Sequence, residues 1–323
     1  MKTEVPAHLG RLLRSAVSLL RDFAYKPQNP IITSAPKPET SRRPRMGLAL
    51  GGGFARGVAH VGVLKVFSEN AIPIDALAGT SAGSLVAAAF ASGCSIEEIV
   101  AAARKLRWNR FARWTFSRLG FASNERMEAL LLDLLHCRTF EDLKIPLAVV
   151  AGDVTTGEAV IFREGNLILP VRASSSFPGL FTPVEYQGRL LVDGVVVAGV
   201  PVAALQDMDV DLVVGVNVTG HGNSRRPTNL FQIVGESFQI IQNLNQANWR
   251  SRCDVVIEPN VLGTRWDEFE RGDELIAAGE AAARAALPAL RLLLKMRPAG
   301  KQVSSRTAPL PRKAVFESGS ASG

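Results

Sequence analysis

A serine lies at the centre of a short glycine-flanked motif, and a serine hydroxyl can attack a carbonyl carbon once a base takes its proton. The motif has the form G-x-S-x-G and reads Gly79-Thr80-Ser81-Ala82-Gly83. An apolar run precedes it and a helical pattern follows it, which is the strand–turn–helix context that exposes such a serine at a sharp turn. The motif therefore predicts Ser81 as a nucleophile. Taken alone, it is also compatible with a serine that only caps the helix.

A glycine-rich loop precedes the serine motif and reads Gly51-Gly52-Gly53-Phe54-Ala55-Arg56-Gly57. Glycines allow backbone N–H groups to face a ligand, because no Cβ stands in the way. The loop can therefore hold an oxyanion or cradle a phosphate. It also fits a loose dinucleotide-binding pattern. The acidic residue expected at the end of the next strand is missing, however, because Asp75 precedes that strand.

Two residues are candidates for the base that takes the proton of Ser81. His221 follows a predicted strand and gives the chain order Ser81, Asp193, His221 of an α/β-hydrolase triad. Asp193 ends a short apolar run and can instead accept the proton directly, as one half of a dyad. A free aspartate has a pKa of about 3.9, so the dyad requires burial to raise that pKa. A further alternative is that Asp193 is an ordinary turn residue of the Asp193-Gly194 pair. Of the other histidines, His8 lies in the N-terminal appendage, and structural roles are expected for His60 and His136.

The elements that must position these residues alternate along the chain. Short apolar runs predict strands at 47–50, 76–79, 146–152, 159–162, 190–192, 211–218 and 255–258. Helical periodicity predicts helices at 58–69, 82–91, 96–106, 201–208, 230–249 and 270–294. Ser95 is a suitable N-cap, because Glu97 and Glu98 follow it in the first turn. This alternation predicts an α/β fold with a largely parallel sheet covered on both faces.

Composition limits the classes of protein to which the chain can belong. Of its 323 residues, 47% are hydrophobic and 21% are charged, which is ordinary for a globular protein. No apolar run reaches the roughly 20 residues of a membrane-spanning helix, and arginines interrupt the N-terminal pattern that a signal peptide needs. Three widely spaced cysteines without a CxxC motif or zinc-ligand spacing predict free thiols in a reducing, cytoplasmic compartment.

The chain ends differ from the central region. Residues 1–45 contain a basic amphipathic helix followed by a linker rich in proline and arginine, whereas 298–323 are polar, aperiodic and predicted to be disordered. The main domain is therefore predicted at 46–297. The N-terminal helix suits either a membrane surface or packing against its own domain.

A basic and aromatic segment covers residues 104–121, where five arginines and one lysine alternate with five aromatic residues. Such a mixture suits a lipid headgroup boundary. We therefore expect the segment to cover the site and to dock on an anionic membrane, in keeping with the net charge of +7. Single-stranded nucleic acid is an alternative ligand that we do not expect. A helix–loop–helix with its aromatic residues in the core is the structural alternative.

Together these segments resemble the patatin-like phospholipases, in their bacterial form, from about Met46 to about Leu294. The resemblance depends on the GGGFARG loop, the GTSAG motif and the Asp193-Gly194 pair. Supporting segments are DVTTGE at 153–158, RASSSFPGLFTPV at 172–184 and IAAGEAAARAAL at 276–287.

The resemblance implies a three-layer α/β/α sandwich and a cofactor-free acyl hydrolase acting on phospholipid or lysophospholipid. It assigns Ser81 as the nucleophile and Asp193 as the base, and it makes His221 a loop residue. It places the oxyanion hole at Gly51, Gly52 and Gly53. It gives Arg56 the basic position of that loop, where the side chain stabilises the loop or meets a phosphate.

Two departures from the family pattern follow Asp193. Val195 replaces the usual glycine or alanine, and Val197-Ala198-Gly199 occupies the place of a common asparagine. A branched side chain beside the base can alter its loop, so a non-catalytic protein with a decayed site remains an alternative.

Overall fold

The computed structural model describes residues 42–107, 113–219 and 226–295. The predicted N-terminal helix, the predicted C-terminal tail and His221 lie outside these residues. The last residues of the predicted linker are described, and they are bound to the domain. Arg42 pairs with Asp211 at 2.7 Å, and Arg43 pairs with Asp75 at 2.7 Å.

The strands of the described ranges are β1 (Met46–Leu50), β2 (Ala76–Thr80), β3 (Arg113–Ser117), β4 (Gly120–Ser123), β5 (Leu147–Asp153), β6 (Ala159–Phe162), β7 (Gly179–Phe181), β8 (Val184–Tyr186), β9 (Arg189–Asp193), β10 (Leu212–Val216) and β11 (Val255–Ile257). Eight of these strands form the central sheet, in the order β11-β10-β1-β2-β5-β9-β8, with β6 also paired to β5. The strands from β11 to β5 are parallel, whereas β6, β8 and β9 join antiparallel at one side.

Helices cover this sheet, and 3-10 turns occur at 54–58, 194–196, 202–205 and 269–271. The helix bounds are α1 (Ala59–Glu69), α2 (Ala82–Ser92), α3 (Ile96–Arg104), α4 (Glu125–Leu134), α5 (Ile168–Ser174), α6 (Leu230–Leu244), α7 (Gln246–Arg250) and α8 (Gly272–Lys295). Ser95 caps α3 in a reciprocal box with Glu98, as predicted. None of the helices in the described ranges combines the length and the apolar composition of a bilayer-spanning segment.

The two faces of the sheet bury side chains of different size, because successive residues of a strand point to opposite faces. Leu48, Leu50 and Leu77 face the larger core, which α1, α2 and α8 complete. Alanines at the alternate positions face a thinner layer, formed by residues 200–210 and part of α7. The predicted three-layer α/β/α sandwich with a mainly parallel sheet is confirmed.

The basic and aromatic segment at 104–121, expected to cover the site or to form a helix–loop–helix, contains a β-hairpin where it is described. Residues 113–123 form the antiparallel hairpin β3–β4, and β4 pairs with β7 in a separate small sheet. Trp114 is 65% exposed and Phe121 is 51% exposed, so these aromatic side chains lie outside the core. The helix–loop–helix alternative is therefore wrong over this range, because strand pairing with the distant β7 sets the local conformation.

Three predicted helices also differ in extent. Residues 201–208 contain only the 3-10 turn at 202–205, which packs closely on the alanine face of the sheet. The helix predicted at 230–249 is divided at Asn245 into α6 and α7. The last helix continues through Pro288 to Lys295.

Two glycines allow α1 and α8 to cross with their backbones in contact. A Cβ added at Gly62 would lie 2.0 Å from the carbonyl oxygen of Ile276, and one added at Gly279 would lie 1.9 Å from that of Ala59. No side chain fits at such distances, so any larger residue must push the helices apart.

We expect Gly279→Ala to lower the free energy of unfolding by about 2 kcal/mol, because overpacking at a helix crossing outweighs the better helix propensity of alanine. Denaturant unfolding measures this change. The control is Ala281→Gly at an exposed position of the same helix, which should cost about 1 kcal/mol through propensity alone. A Gly279→Ala protein more stable than wild type would contradict the backbone contact.

Candidate active site

Ser81 lies at the sharp turn between β2 and α2. Its backbone has φ 53° and ψ −127°, a strained conformation for a residue with a side chain. The chain folds tightly here because the following glycine lies against β1. A Cβ at Gly83 would be 2.2 Å from the carbonyl oxygen of Leu50. The second glycine of the G-x-S-x-G motif is thus required by backbone packing.

Strand register brings Asp193 to Ser81. Thr80 at the end of β2 pairs with Val150 of β5, and Asp193 at the end of β9 pairs with the next residue, Ala151. β6 pairs along one edge of β5, so β2 and β9 both pair along the opposite edge. On that edge, the end of β2 meets the end of β9. Gly194 is required at this junction, since a Cβ there would lie 2.1 Å from the carbonyl oxygen of Val150.

The hydroxyl of Ser81 donates directly to the carboxylate of Asp193, with 2.6 Å between Oγ and Oδ2. The carboxylate is buried, and this burial raises the pKa of Asp193 to about 7, against the opposing effect of its hydrogen bonds from Ser81 and Val195. An aspartate with this pKa can accept a proton near neutral pH.

Val195, the first departure from the family pattern, leaves the hydrogen bonding of Asp193 intact. Its backbone N–H donates to Asp193 Oδ1 at 2.9 Å, a contact that any residue except proline can make. Its side chain packs against Gly52, where an added Cβ would lie 3.1 Å from Val195 Cγ2. The branched side chain therefore contacts the glycine loop and does not displace the carboxylate.

Serines 174 and 176 hold the two residues in place, a role that the sequence analysis did not assign. Ser174 Oγ accepts from the backbone N–H of Ser81 at 2.9 Å and donates to the carbonyl oxygen of Val150 at 2.6 Å. The backbone N–H of Asp193 donates to the carbonyl oxygen of Ser176 at 2.9 Å. In the sequence, these residues belong to a run of three serines at 174–176. A run of serines does not indicate which of them are buried or which backbone groups they bind.

The glycine loop uses two of its three predicted amides to fix its own position. Gly51 N–H donates to the carbonyl oxygen of Val216 at 3.1 Å, and Gly52 N–H donates to that of Gly199 at 3.0 Å. The prediction of an oxyanion hole at all three glycines is therefore corrected. Of the three, only Gly53 has an N–H without an acceptor among the described residues.

His60 has a structural role, as predicted. Its buried Nε2 lies 2.8 Å from the carbonyl oxygen of Gly51. A carbonyl oxygen can only accept, so this nitrogen carries the proton. Burial lowers the pKa of His60 to about 4, which keeps the ring neutral. The ring therefore orients the glycine loop and is unavailable as the base for Ser81.

Arg56 is buried beside the two candidate catalytic residues. Its Nη2 donates to Gln239 Oε1 of α6 at 3.0 Å, and its buried Nε–H has no acceptor within the described part of the chain. Desolvation lowers the pKa of the guanidinium, with Glu236 and Asp267 acting in the opposite direction. The contact with Gln239 fits the loop-stabilising role predicted for Arg56.

Three cavities adjoin this site. The catalytic pocket contains Ser81, Asp193 and Arg56. The helix-lined cleft begins at Ser81 and runs between α2, α3 and α4. The aromatic groove lies between Phe121, Pro178 and Val234. All three are lined in part by Phe54.

A cluster of potential metal ligands lies apart from these cavities. Cys94, Glu98 and His136 have ligand atoms within 4.8 Å of one another. Cys94 Sγ donates to the carbonyl oxygen of Leu134, Glu98 completes the cap of α3, and His136 lies 3.4 Å from Glu98. These contacts account for all three side chains without an ion.

Several known proteins have sequences similar to that of this chain. The sequence model described as patatin-like phospholipase matches residues 48–205. An uncharacterized NTE family protein of Mycobacterium tuberculosis is 34% identical over 183 residues, which cover 56% of this chain and 51% of that protein. A second uncharacterized NTE family protein of that species is 30% identical over 273 residues, covering 76% and 46%. The chain thus spans about half the length of these relatives.

A further relative and two solved structures are also similar to this chain. Lysophospholipase NTE1 of Scheffersomyces stipitis is 28% identical over 190 residues, covering 57% of this chain and 12% of that protein. VipD from Legionella pneumophila is 14% identical, with a TM-score of 0.43 over 78% of this chain and 68% of that chain. Human GIVD cytosolic phospholipase A2 is 13% identical, with a TM-score of 0.41 over 78% and 60%.

The region that the family model matches contains the loop, the serine motif and the aspartate whose contacts are described above. Over residues 48–205, just under half of its length, the chain is thus similar to the patatin-like phospholipase family.

Proposed function

We propose that the protein is a serine hydrolase that cleaves acyl esters of phospholipids or lysophospholipids through a Ser81–Asp193 dyad. The observation that supports this most directly is the 2.6 Å hydrogen bond from Ser81 to a buried aspartate whose pKa is raised to about 7. A serine in a strained turn, bonded to a base with this pKa, has the properties of an activated nucleophile. The family supplies the substrate class.

Acylation begins when the Asp193 carboxylate takes the proton of Ser81. The freed Oγ attacks the ester carbonyl carbon and forms a tetrahedral oxyanion. We assign the stabilising donors to the amides of Gly53 and Ala82, because Ala82 N–H lies at the N-terminus of α2, where the helix dipole favours negative charge. As the intermediate collapses, the protonated Asp193 gives its proton to the leaving alcohol oxygen. An acyl-Ser81 ester remains.

Deacylation repeats the same proton transfers with water. Asp193 takes a proton from a water molecule whose oxygen attacks the acyl-Ser81 carbonyl. The second tetrahedral intermediate collapses, and the proton on Asp193 returns to Ser81 Oγ. The fatty acid leaves and the dyad is restored, so no cofactor or metal ion is needed for the cycle.

The helix-lined cleft supports a lipid acyl chain as the group that is transferred. Its wall along α2 continues from Ser81 through Leu85 to Ala89, a span of about 12 Å at the helical rise of 1.5 Å per residue. Apolar side chains of α3 and α4 form the opposite wall, including Ile99 and Leu130. An extended hydrocarbon chain bound at Ser81 can thus lie along the cleft, out of contact with water.

An anionic membrane surface is part of the proposal. Trp114 and Phe121 are exposed on the β3–β4 hairpin beside Arg113 and Arg118. Aromatic side chains with neighbouring arginines suit the boundary between headgroups and hydrocarbon. Because Phe121 also lines the aromatic groove, a membrane bound at this hairpin would lie beside the cavities of the site.

Replacement of either member of the dyad should abolish hydrolysis. We expect Ser81→Ala and Asp193→Asn to lower kcat/KM for a short-chain p-nitrophenyl ester by about 1,000-fold or more, since nucleophile and base act as a unit. Labelling by a fluorophosphonate probe should disappear in Ser81→Ala and weaken in Asp193→Asn. His221→Ala is the matched control and should retain activity. A labelled Ser81→Ala protein, or an inactive His221→Ala protein, would contradict the dyad.

The activity should depend on the ionisation of Asp193. The carboxylate is the active form and its pKa is about 7, so kcat/KM should rise with pH and level off above about pH 7. Initial rates with a soluble ester between pH 5 and pH 9 measure the profile, with spontaneous hydrolysis subtracted. A profile that is flat between pH 5 and pH 7 would show that another group acts as the base.

Stability should reveal the same pKa without any substrate. The pKa of Asp193 is higher in the folded protein than in the unfolded chain, so the folded state loses stability as the pH rises from about 4 to about 7, and loses no more above that. An asparagine side chain at this position cannot ionise. We therefore expect the stability of Asp193→Asn relative to wild type to increase over this pH range, as measured by denaturant unfolding. A pH-independent difference would be the contrary result.

A further inference from the structure

We infer that the aromatic groove binds the second, uncleaved acyl chain of a diacyl lipid, while the helix-lined cleft holds the chain that is cleaved. The inference rests on the proposed function and narrows its substrate class from acyl lipids in general to diacyl lipids. A lysolipid has one chain and would leave the groove empty.

The three cavities share lining residues. The helix-lined cleft shares Phe54 and Ser81 with the catalytic pocket. The aromatic groove shares four lining residues with the same pocket: Phe54, Phe177, Gly235 and Trp266. Both apolar cavities therefore adjoin the catalytic pocket in which the ester would lie.

Phe54 separates the two apolar cavities. Its backbone has φ 50°, an unusual conformation for phenylalanine that follows from the tight glycine loop before it. The centroid of its ring lies 4.9 Å from that of Phe177 and 4.9 Å from that of Trp266, and both pairs are inclined. Ala55 N–H also donates to the carbonyl oxygen of Trp266 at 3.0 Å. The ring is thus held from several sides and forms a fixed partition.

This arrangement matches the chemistry of a diacyl glycerolipid. Its two chains leave from neighbouring carbons of one glycerol unit, so their binding sites must adjoin while remaining separate. One chain carries the ester at Ser81, and a partition one aromatic ring thick divides it from the other. The hydrolysis itself needs only the helix-lined cleft, so the groove must act on substrate choice and not on the chemical step.

The groove can also accept chains of different length. Phe121 and Leu230 at its outer edge are both more than half exposed, so the groove opens to the surface at that end. Its walls are otherwise apolar, with Leu180 and Val234 among them. A hydrocarbon chain is a ligand that such walls bind through burial alone.

Filling the groove tests the inference. Val234 of α6 lines the groove and neither of the other two cavities. Substrates are a short-chain diacyl phospholipid and its monoacyl counterpart, both kept below their micelle-forming concentrations so that surface binding does not contribute. We expect Val234→Phe to lower kcat/KM for the diacyl lipid by about tenfold relative to the monoacyl lipid. Ile233→Phe, at an exposed neighbouring position that lines none of the three cavities, is the matched control and should leave this ratio unchanged.

Leu230→Trp, at the exposed edge of the groove, is a second variant in case Val234→Phe does not fold. It should also lower kcat/KM for the diacyl lipid relative to the monoacyl lipid. Equal losses on both lipids, or no loss on the diacyl lipid, would overturn the inference while leaving ester hydrolysis intact. If wild-type protein that a fluorophosphonate probe labels hydrolyses neither lipid, the proposed lipid substrate fails, and the inference fails with it.

Discussion

The end-to-end meeting of β2 and β9 on one edge of β5 is the constraint on which the site depends. It places Thr80, the residue before Ser81, and Asp193 opposite consecutive positions of one strand, so backbone register brings Ser81 within hydrogen-bonding distance of Asp193. The same junction leaves no space for side chains at the neighbouring glycines, which lie against backbone carbonyls. Strain at Ser81 is maintained because the surrounding backbone is fixed on both sides, by β1 at Gly83 and by the 174–176 segment.

Burial of the aspartate links the proposed chemistry to the proposed substrate. A carboxylate in a polar, open site would keep a pKa near 4 and would be a weak base. Here burial raises that pKa, while hydrogen bonds from Ser81 and Val195 limit the cost of the charge. The apolar cavities that receive hydrocarbon chains in our proposal begin at this same place. A site that excludes water for a lipid chain is thus also one in which an aspartate can act as a base near neutral pH.

The glycine loop has several structural roles that its composition alone does not indicate. Gly51 and Gly52 attach the loop to β10 and to the segment before the 202–205 turn, and His60 holds the carbonyl of Gly51. With the first two amides occupied, our proposal assigns the oxyanion to the third glycine and the start of α2. The tight loop also sets the unusual backbone of Phe54, whose ring divides the apolar cavities. One short segment therefore sets both the position of the glycine loop and the position of the Phe54 ring.

The sequence by itself determined the features that depend on near neighbours in the chain. The strand–turn–helix around Ser81, the cap of α3 and the alternation of strands and helices all follow from local propensity and periodicity. It left Asp193 and His221 as competing bases, because the partner of Ser81 lies 112 residues away and is selected by strand register. It also could not define the amides occupied in the glycine loop, the serine bridge at 174–176 or the hairpin at 113–123. Each of these depends on contacts with remote strands, and only the tertiary structure decides which distant backbone groups a residue meets.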